Sequence, residues 1–126
     1  MNAEEFRAIN RFWTQIRAIQ DLPNLAARKN RYLVNVALGS RRMNQQEIDI
    51  EGLVSLTGLG RSSLQTILKE MVDDGLVFLQ KDPLDRRRTL VKPTELLTRK
   101  SIDMYEETRD LITATADELK ALADKK

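Results

Sequence analysis

No cysteine and no histidine occur anywhere in the chain. Their absence excludes disulfides, thiol redox sensing, Cys/His zinc sites and every catalytic triad that uses histidine as its base. No carboxylate pair is forced together by helical spacing in a plausible cleft, so neither an enzyme nor a bound metal or cofactor is expected. No apolar run approaches the roughly 18 residues of a membrane span. The N-terminal stretch MNAEEFRAIN also lacks the apolar core of a signal peptide. A cytoplasmic protein with no membrane partner is the expectation. Internal repeats and low-complexity segments are missing too, and a net charge of only +2 says little about partners.

The distribution of that charge says more. Residues 1–42 hold eight Lys/Arg against three Asp/Glu, and 61–100 hold nine against six. Residues 43–60 hold none against three, and 101–126 hold four against seven. The two ends therefore differ in sign, and the middle carries three adjacent arginines, Arg86, Arg87 and Arg88. A chain of 126 residues, 41% of them hydrophobic, makes one domain with a small core. Association with a second copy would add to what it can bury.

Hydrophobic spacing organises the chain. Residues 3–20 read as a helix, with Phe6, Ile9, Trp13 and Ile16 three and four apart, and Pro23 in "DLPN" breaks it. A second helix is expected over 25–39, with Leu25, Tyr32, Leu33, Val36 and Ala37 inward and Gly39 at its end. "SRRMNQQ" would follow as a polar connector. A third, short helix starts after Asp49 as N-cap and carries Leu53, Val54 and Leu56 before "TGLG" turns the chain. A fourth, about 61–74, buries Leu64, Ile67, Leu68, Met71 and Val72 and ends at Gly75. "LVFLQ" and "RTLVK" then read as antiparallel strands around the tip "KDPLDRR". Pro93 and Thr94 lead into a last helix, about 94–123, where Ile102, Tyr105, Arg109, Ile112, Ala116, Leu119 and Ala123 keep three-four spacing.

A short helix, a tight turn and a second amphipathic helix make a helix-turn-helix, and a hairpin directly after it makes a winged helix. The expected fold class is thus mainly α with a small β-hairpin, a winged helix-turn-helix flanked by N- and C-terminal helices. In such units the second helix lies in the major groove of DNA with its N-terminal end toward the bases. Burying the Leu64 stripe turns out Arg61, Ser62, Ser63, Gln65, Thr66 and Lys69, types that hydrogen-bond base edges and phosphates. The plainer alternative is a solvated polar face, with Ser62 and Gln65 forming a capping box. The arginines at the tip gain little from surface ion pairs, worth ~0–1 kcal/mol each. Asp82 and Asp85 are near enough to hold one or two of them in a fixed pose, suited to the negative potential of a narrow minor groove.

The stretch "LTGLGRSSLQTILKEMVDDGLVFLQKDPLDRRRTLVKPTE" resembles the recognition helix and wing of MarR-family transcription regulators. The wing residues Asp82, Pro83, Asp85, Arg86 and Arg87, with Val91 and Thr94 in register, carry the likeness. The resemblance implies that Asp85 orients Arg87 into the minor groove. It also implies a homodimer formed through the first and last helices. Gly60 stands where that family usually has a capping serine, which would move the helix start to Ser62. Pro93 replaces an apolar strand residue, and "TELL" replaces the usual Thr-Pro-Glu-Gly.

The chain is accordingly expected to be one winged-helix unit, 1–126, with 25–94 binding DNA and 1–24 and 95–126 dimerising. Phe6, Ile9, Trp13, Ile16, Ile102, Tyr105, Ile112 and Leu119 form the expected dimer seams, with Trp13 as an anchor. Arg109 interrupts the last seam, and would snorkel, pair with Glu4 or Glu5, or mark a polar cavity for an acidic effector. The expected DNA contacts are Arg61, Ser62, Ser63, Gln65, Thr66, Lys69, Asp85, Arg86, Arg87 and Arg88. The expected partner is a pseudo-palindromic duplex with its two half-sites ~34 Å apart, and the expected role is transcription regulation, most simply repression. A small-molecule effector is left open. A winged helix that docks an acidic protein partner through its arginine tip is the alternative.

Overall fold

The first helix begins where the sequence caps it. Asn2 accepts the Glu5 amide at 2.8 Å, while the Glu5 carboxylate takes the Asn2 amide at 3.2 Å. Two orphan donors are thereby satisfied reciprocally. In the computed structural model, which describes residues 1–20, 30–43 and 45–125, this helix is α1, Ala3–Gln20. It is followed by α2 (Arg31–Met43), α3 (Ile50–Thr57), α4 (Arg61–Asp73), β1 (Val77–Lys81), β2 (Thr89–Pro93) and α5 (Glu95–Asp124).

The second helix departs from expectation. The described part starts at Arg31, and the expected Leu25 lies outside the described residues. The helix does not stop at Gly39 but runs on to Met43, taking in the start of the supposed connector. A Cβ on Gly39 would stand 2.8 Å from the Tyr105 hydroxyl on α5, so the half-exposed Tyr105 ring would have to shift to admit one. The buried stripe is Val34, Asn35, Ala37 and Leu38, with Tyr32 and Leu33 half-buried and Val36 outside.

Asp49 caps α3 as expected, taking the Gly52 amide at 2.7 Å. Leu53 is fully buried beneath it, while Leu56 points outward. The fourth helix starts at Arg61 with Gly60 as an N-cap lacking any side-chain bond, so the start does not shift to Ser62. Ser62 is already helical, and its carbonyl accepts the Thr66 hydroxyl at 3.1 Å. Leu64, Ile67, Leu68 and Met71 are buried, and Val72 is not. The helix closes in a Schellman motif. The Gly75 amide bonds the Val72 carbonyl and the Leu76 amide bonds the Met71 carbonyl, with Gly75 at φ 74°.

The strands pair antiparallel, from Val77 opposite Pro93 to Lys81 opposite Thr89, one residue later than the sequence suggested. Leu76 is taken by the helix cap and Arg88 by the turn. Pro93 is tolerated because it ends its strand. A further bridge, Asp49 to Leu90, with the Val91 amide on the Ile48 carbonyl at 2.9 Å, joins the hairpin to the start of α3. No sequence feature had announced it.

Thr94 then caps α5, accepting the Leu97 amide and donating its hydroxyl to the Gly75 carbonyl at 2.7 Å. At 30 residues α5 is the longest element, and α1 packs along it. Ala8 of α1 and Leu97 and Met104 of α5 are buried, with Thr108, Leu111, Thr115 and Leu122 half-buried on the same side of α5. The main core gathers Val34, Leu38, Leu53, Leu64, Leu68, Met71, Leu76, Val77 and Val91, so α2, α3, α4, the hairpin and the start of α5 share one apolar cluster.

At Gly75 there is open space for a Cβ, so Gly75→Ala tests the backbone alone. We expect a loss of about 1–2 kcal/mol in urea unfolding with an unchanged m-value. No loss would mean that the left-handed turn is not required.

Candidate nucleic-acid interface

The site is what the core leaves outside. With four side chains of α4 buried, Arg61, Ser62, Ser63, Gln65, Thr66 and Lys69 are all exposed along its outer face, as expected. No acidic residue lies between Arg61 and Lys69, whereas Glu70, Asp73 and Asp74 gather at the other end. That polarity leaves the helix N-terminus, with its free amides and positive dipole end, as the part suited to an anion. Two of the six already have local bonds. Arg61 pairs with Glu51 of α3, both more than half exposed, and the Thr66 hydroxyl is held by its own helix. Exposed pairs of this kind are worth little and exchange readily for a phosphate.

The acidic end of α4 is tied inward by a residue the sequence reading passed over. Arg31, 3% exposed at the start of α2, places its guanidinium 2.8 Å from Asp74 and 3.6 Å from Glu70. A cation there offsets carboxylates that the helix C-terminus disfavours. The available signal was the run of acids at the end of an otherwise basic helix, with no cation in its last turn.

The three arginines of the wing have three different environments. Arg87 is held by Asp85, whose Oδ1 accepts both its amide at 3.1 Å and its Nε at 3.2 Å, and its side chain is still 92% exposed. Arg86 is exposed, with no ion pair or hydrogen bond among the described residues. Arg88 departs from expectation, because it turns back instead of projecting. Its Nε lies 2.9 Å from Asp49 and a terminal nitrogen 2.9 Å from Asp82. Asp82 is buried, and its other oxygen accepts the Leu84 amide at 2.9 Å, which shapes the tip. Arg88 is therefore a scaffold contact of the wing. The Arg88 guanidinium, helped by the Gly52 amide, holds the Asp49 carboxyl below its ordinary value. The same pairing pushes Arg88 up.

The terminal helices present a second surface. Phe6 and Trp13 are 61% and 62% exposed, and Ile102, Tyr105 and Ile112 are about half exposed. Ile9, Ile16 and Leu119 are half-buried within the single chain. The opposite charges of the two ends meet in part inside the chain, where Arg11 pairs with Glu118. Arg109 pairs with neither Glu4 nor Glu5 but lies on the surface beside Asp110 at 3.1 Å. Between α2 and α5 a cavity of about 270 Å³ is lined by Asn35, Leu38, Leu97, Ser101 and Tyr105, and Arg109 is not among its walls. Among the described residues no cluster of acids could hold a metal ion, and no helix is long and apolar enough to cross a membrane.

A three-helix unit followed by a two-stranded wing, with a basic N-terminal end on its third helix and a clamped arginine on the wing, defines a winged helix-turn-helix. The MarR family model matches residues 38–88, from the middle of α2 to the last residue of the wing tip. Over that segment the chain is similar to the MarR family.

Solved structures agree on the architecture. RV1404 from Mycobacterium tuberculosis is 17% identical, with a TM-score of 0.73 over 92% of this chain and 83% of that one. Apo MarR from E. coli is 22% identical, with a TM-score of 0.62 over 93% and 90%. MepR of S. aureus, solved as a DNA complex, is 18% identical, with a TM-score of 0.63 over 96% and 98%. No curated protein sequence matches.

Because the folded-state pKa of Asp49 is depressed, its ionised form adds stability above the unfolded-state pKa and loses it as pH falls. Asparagine also caps helices well, so Asp49→Asn removes the charge and keeps the cap. We expect the stability gap between wild type and D49N to be widest near neutrality and to shrink below about pH 4. A gap that stays constant in chemical unfolding from pH 7 to 3 would contradict the pairing.

Proposed function

We propose that this chain is a sequence-specific double-stranded DNA-binding protein that acts as a homodimer and represses transcription by occupying its site. The observation that carries the reading is Arg87, held at two points by Asp85 while 92% of its side chain stays in solvent. A surface pair of this exposure adds little to folding. An arginine pre-set in one pose suits a ligand of opposite charge, and the narrow minor groove concentrates such charge. In this reading Arg87 and Arg86 supply the wing contacts. Ser62, Ser63, Gln65 and, once released from Glu51, Arg61 face the major groove, with Thr66 and Lys69 further along α4. Arg88 leaves the contact set because both its directions are taken by carboxylates.

The homodimer follows from the apolar residues that the single chain leaves uncovered. Phe6, Trp13, Ile102, Tyr105 and Ile112 lie on two helices already packed together, and covering them would remove a large apolar surface from water. Ile9, Ile16 and Leu119 then serve the packing within each subunit as well as the seam. A two-fold pair of α4 helices would read half-sites one DNA turn apart. The cavity beside Tyr105 is where we place an effector, should the regulator take one.

Gel-shift titrations against genomic duplexes at several salt concentrations test this reading. Arg87→Ala should weaken binding to all sequences and lower the salt slope by about one unit. Gln65→Ala should instead change which sequence is preferred. Unchanged affinity in R87A would remove the wing from the account. Failure of the wild type to bind any duplex in dilute buffer would favour a protein-docking wing.

A further inference from the structure

We infer that Arg88 is a positioning residue, which grips Asp49 and Asp82 together and so sets the angle at which the wing offers Arg87 to DNA. The inference rests on the DNA-binding reading above and assigns Arg88 a different job from its two neighbours. Its Nε reaches Asp49 and a terminal nitrogen reaches Asp82, each at 2.9 Å. Both carboxylates are bound elsewhere through their second oxygen. Asp49 takes the Gly52 amide and caps α3, and Asp82 takes the Leu84 amide inside the turn. The guanidinium thus joins the tip of the wing to the first turn of the helix-turn-helix.

The tip is closed on itself by backbone bonds, Asp82 amide to Arg88 carbonyl at 3.1 Å and Arg88 amide to Asp85 carbonyl at 2.9 Å. Those bonds fix its shape but not its orientation. An isolated two-stranded hairpin is weakly ordered in water. The bridge from Asp49 to Leu90 anchors its base, and Arg88 extends that anchor outward to the residue next to Arg87. The carboxylates are sheltered, with Asp49 and Asp82 side chains 19% and 8% exposed, while the Arg88 side chain between them is 43% exposed. Two acceptors in two directions call for a planar fork, which lysine lacks. A wing ordered before binding loses less freedom when it docks.

The test uses the full-length chain, a labelled genomic duplex retained by the wild type, and the variants R88A, R88K, D49N, R88A/D49N and R87A. Arg88→Ala and Arg88→Lys should each weaken binding roughly five- to tenfold and leave the salt slope as in wild type, while R87A lowers it by about one unit. D49N should cost a similar factor, and the double variant no more than R88A alone. Wild-type affinity in R88K, a slope in R88A reduced as in R87A, or losses that add in the double variant would each overturn the inference. Hydrogen exchange over residues 82–90 follows the wing without DNA, and should quicken in R88A and R88K. Unchanged exchange would show that Arg88 does not hold the wing. If wild type retained no duplex, the DNA reading itself would fall, and exchange alone would decide whether the grip exists.

Discussion

Burial of Leu64, Ile67, Leu68 and Met71 along one side of α4 is the constraint on which the rest of the structure depends. Each such side chain contributes about 1.5–3 kcal/mol when fully withdrawn from water. A domain of this size has a net stability of only about 5–15 kcal/mol, so the helix is not free to turn about its axis. Its remaining residues face solvent by necessity. The chain fills that forced surface with small hydroxyls, one amide and two cations, and keeps the acids for the far end, where Arg31 ties them down. Packing sets which face is outside, and the choice of residues gives that face groups able to hydrogen-bond phosphates and base edges.

The wing solves a different problem. A hairpin has no core of its own, and three like charges at its tip repel one another. The chain divides them. Asp85 holds Arg87 in an exposed pose, Asp82 and Asp49 draw Arg88 inward, and Arg86 is left to solvent. Repulsion is thus offset by carboxylates placed within hydrogen-bond reach, and the exposed charge is concentrated on two side chains. Asp49 belongs to both halves of the unit, since it caps α3 and receives the wing.

Much of this was legible in the sequence because it follows from local rules. Three-four spacing located α1, α4 and α5, Asp49 announced α3, and Gly75 announced the end of α4. Proximity in the sequence put Asp82 and Asp85 within reach of one or two of the arginines, and the pairing of Asp85 with Arg87 in particular was implied by the family resemblance. What escaped depends on contacts between distant residues. Gly39 looked like a helix end, whereas it stands in mid-helix with the Tyr105 hydroxyl of α5 close beside it. Arg88 looked like its neighbours until Asp49, 39 positions away, turned it inward. In α5 two apolar faces lie side by side. The sequence reading followed Ile102, Tyr105 and Ile112, whereas the chain packs Leu97, Met104 and Leu111 inward, nearer α1 and the core. Spacing alone does not tell which of two adjacent stripes meets its own chain.

In the proposed dimer the inner stripe would build the subunit, the outer one would pair two subunits, and two α4 helices would approach the same face of a duplex. Hydroxyl-radical footprinting of a retained genomic duplex examines that geometry most directly. The account predicts two protected patches related by a dyad, about 10 base pairs apart and each flanked by protection across the adjoining minor groove. A single unsymmetrical patch, or a duplex cleaved evenly along its length, would contradict it.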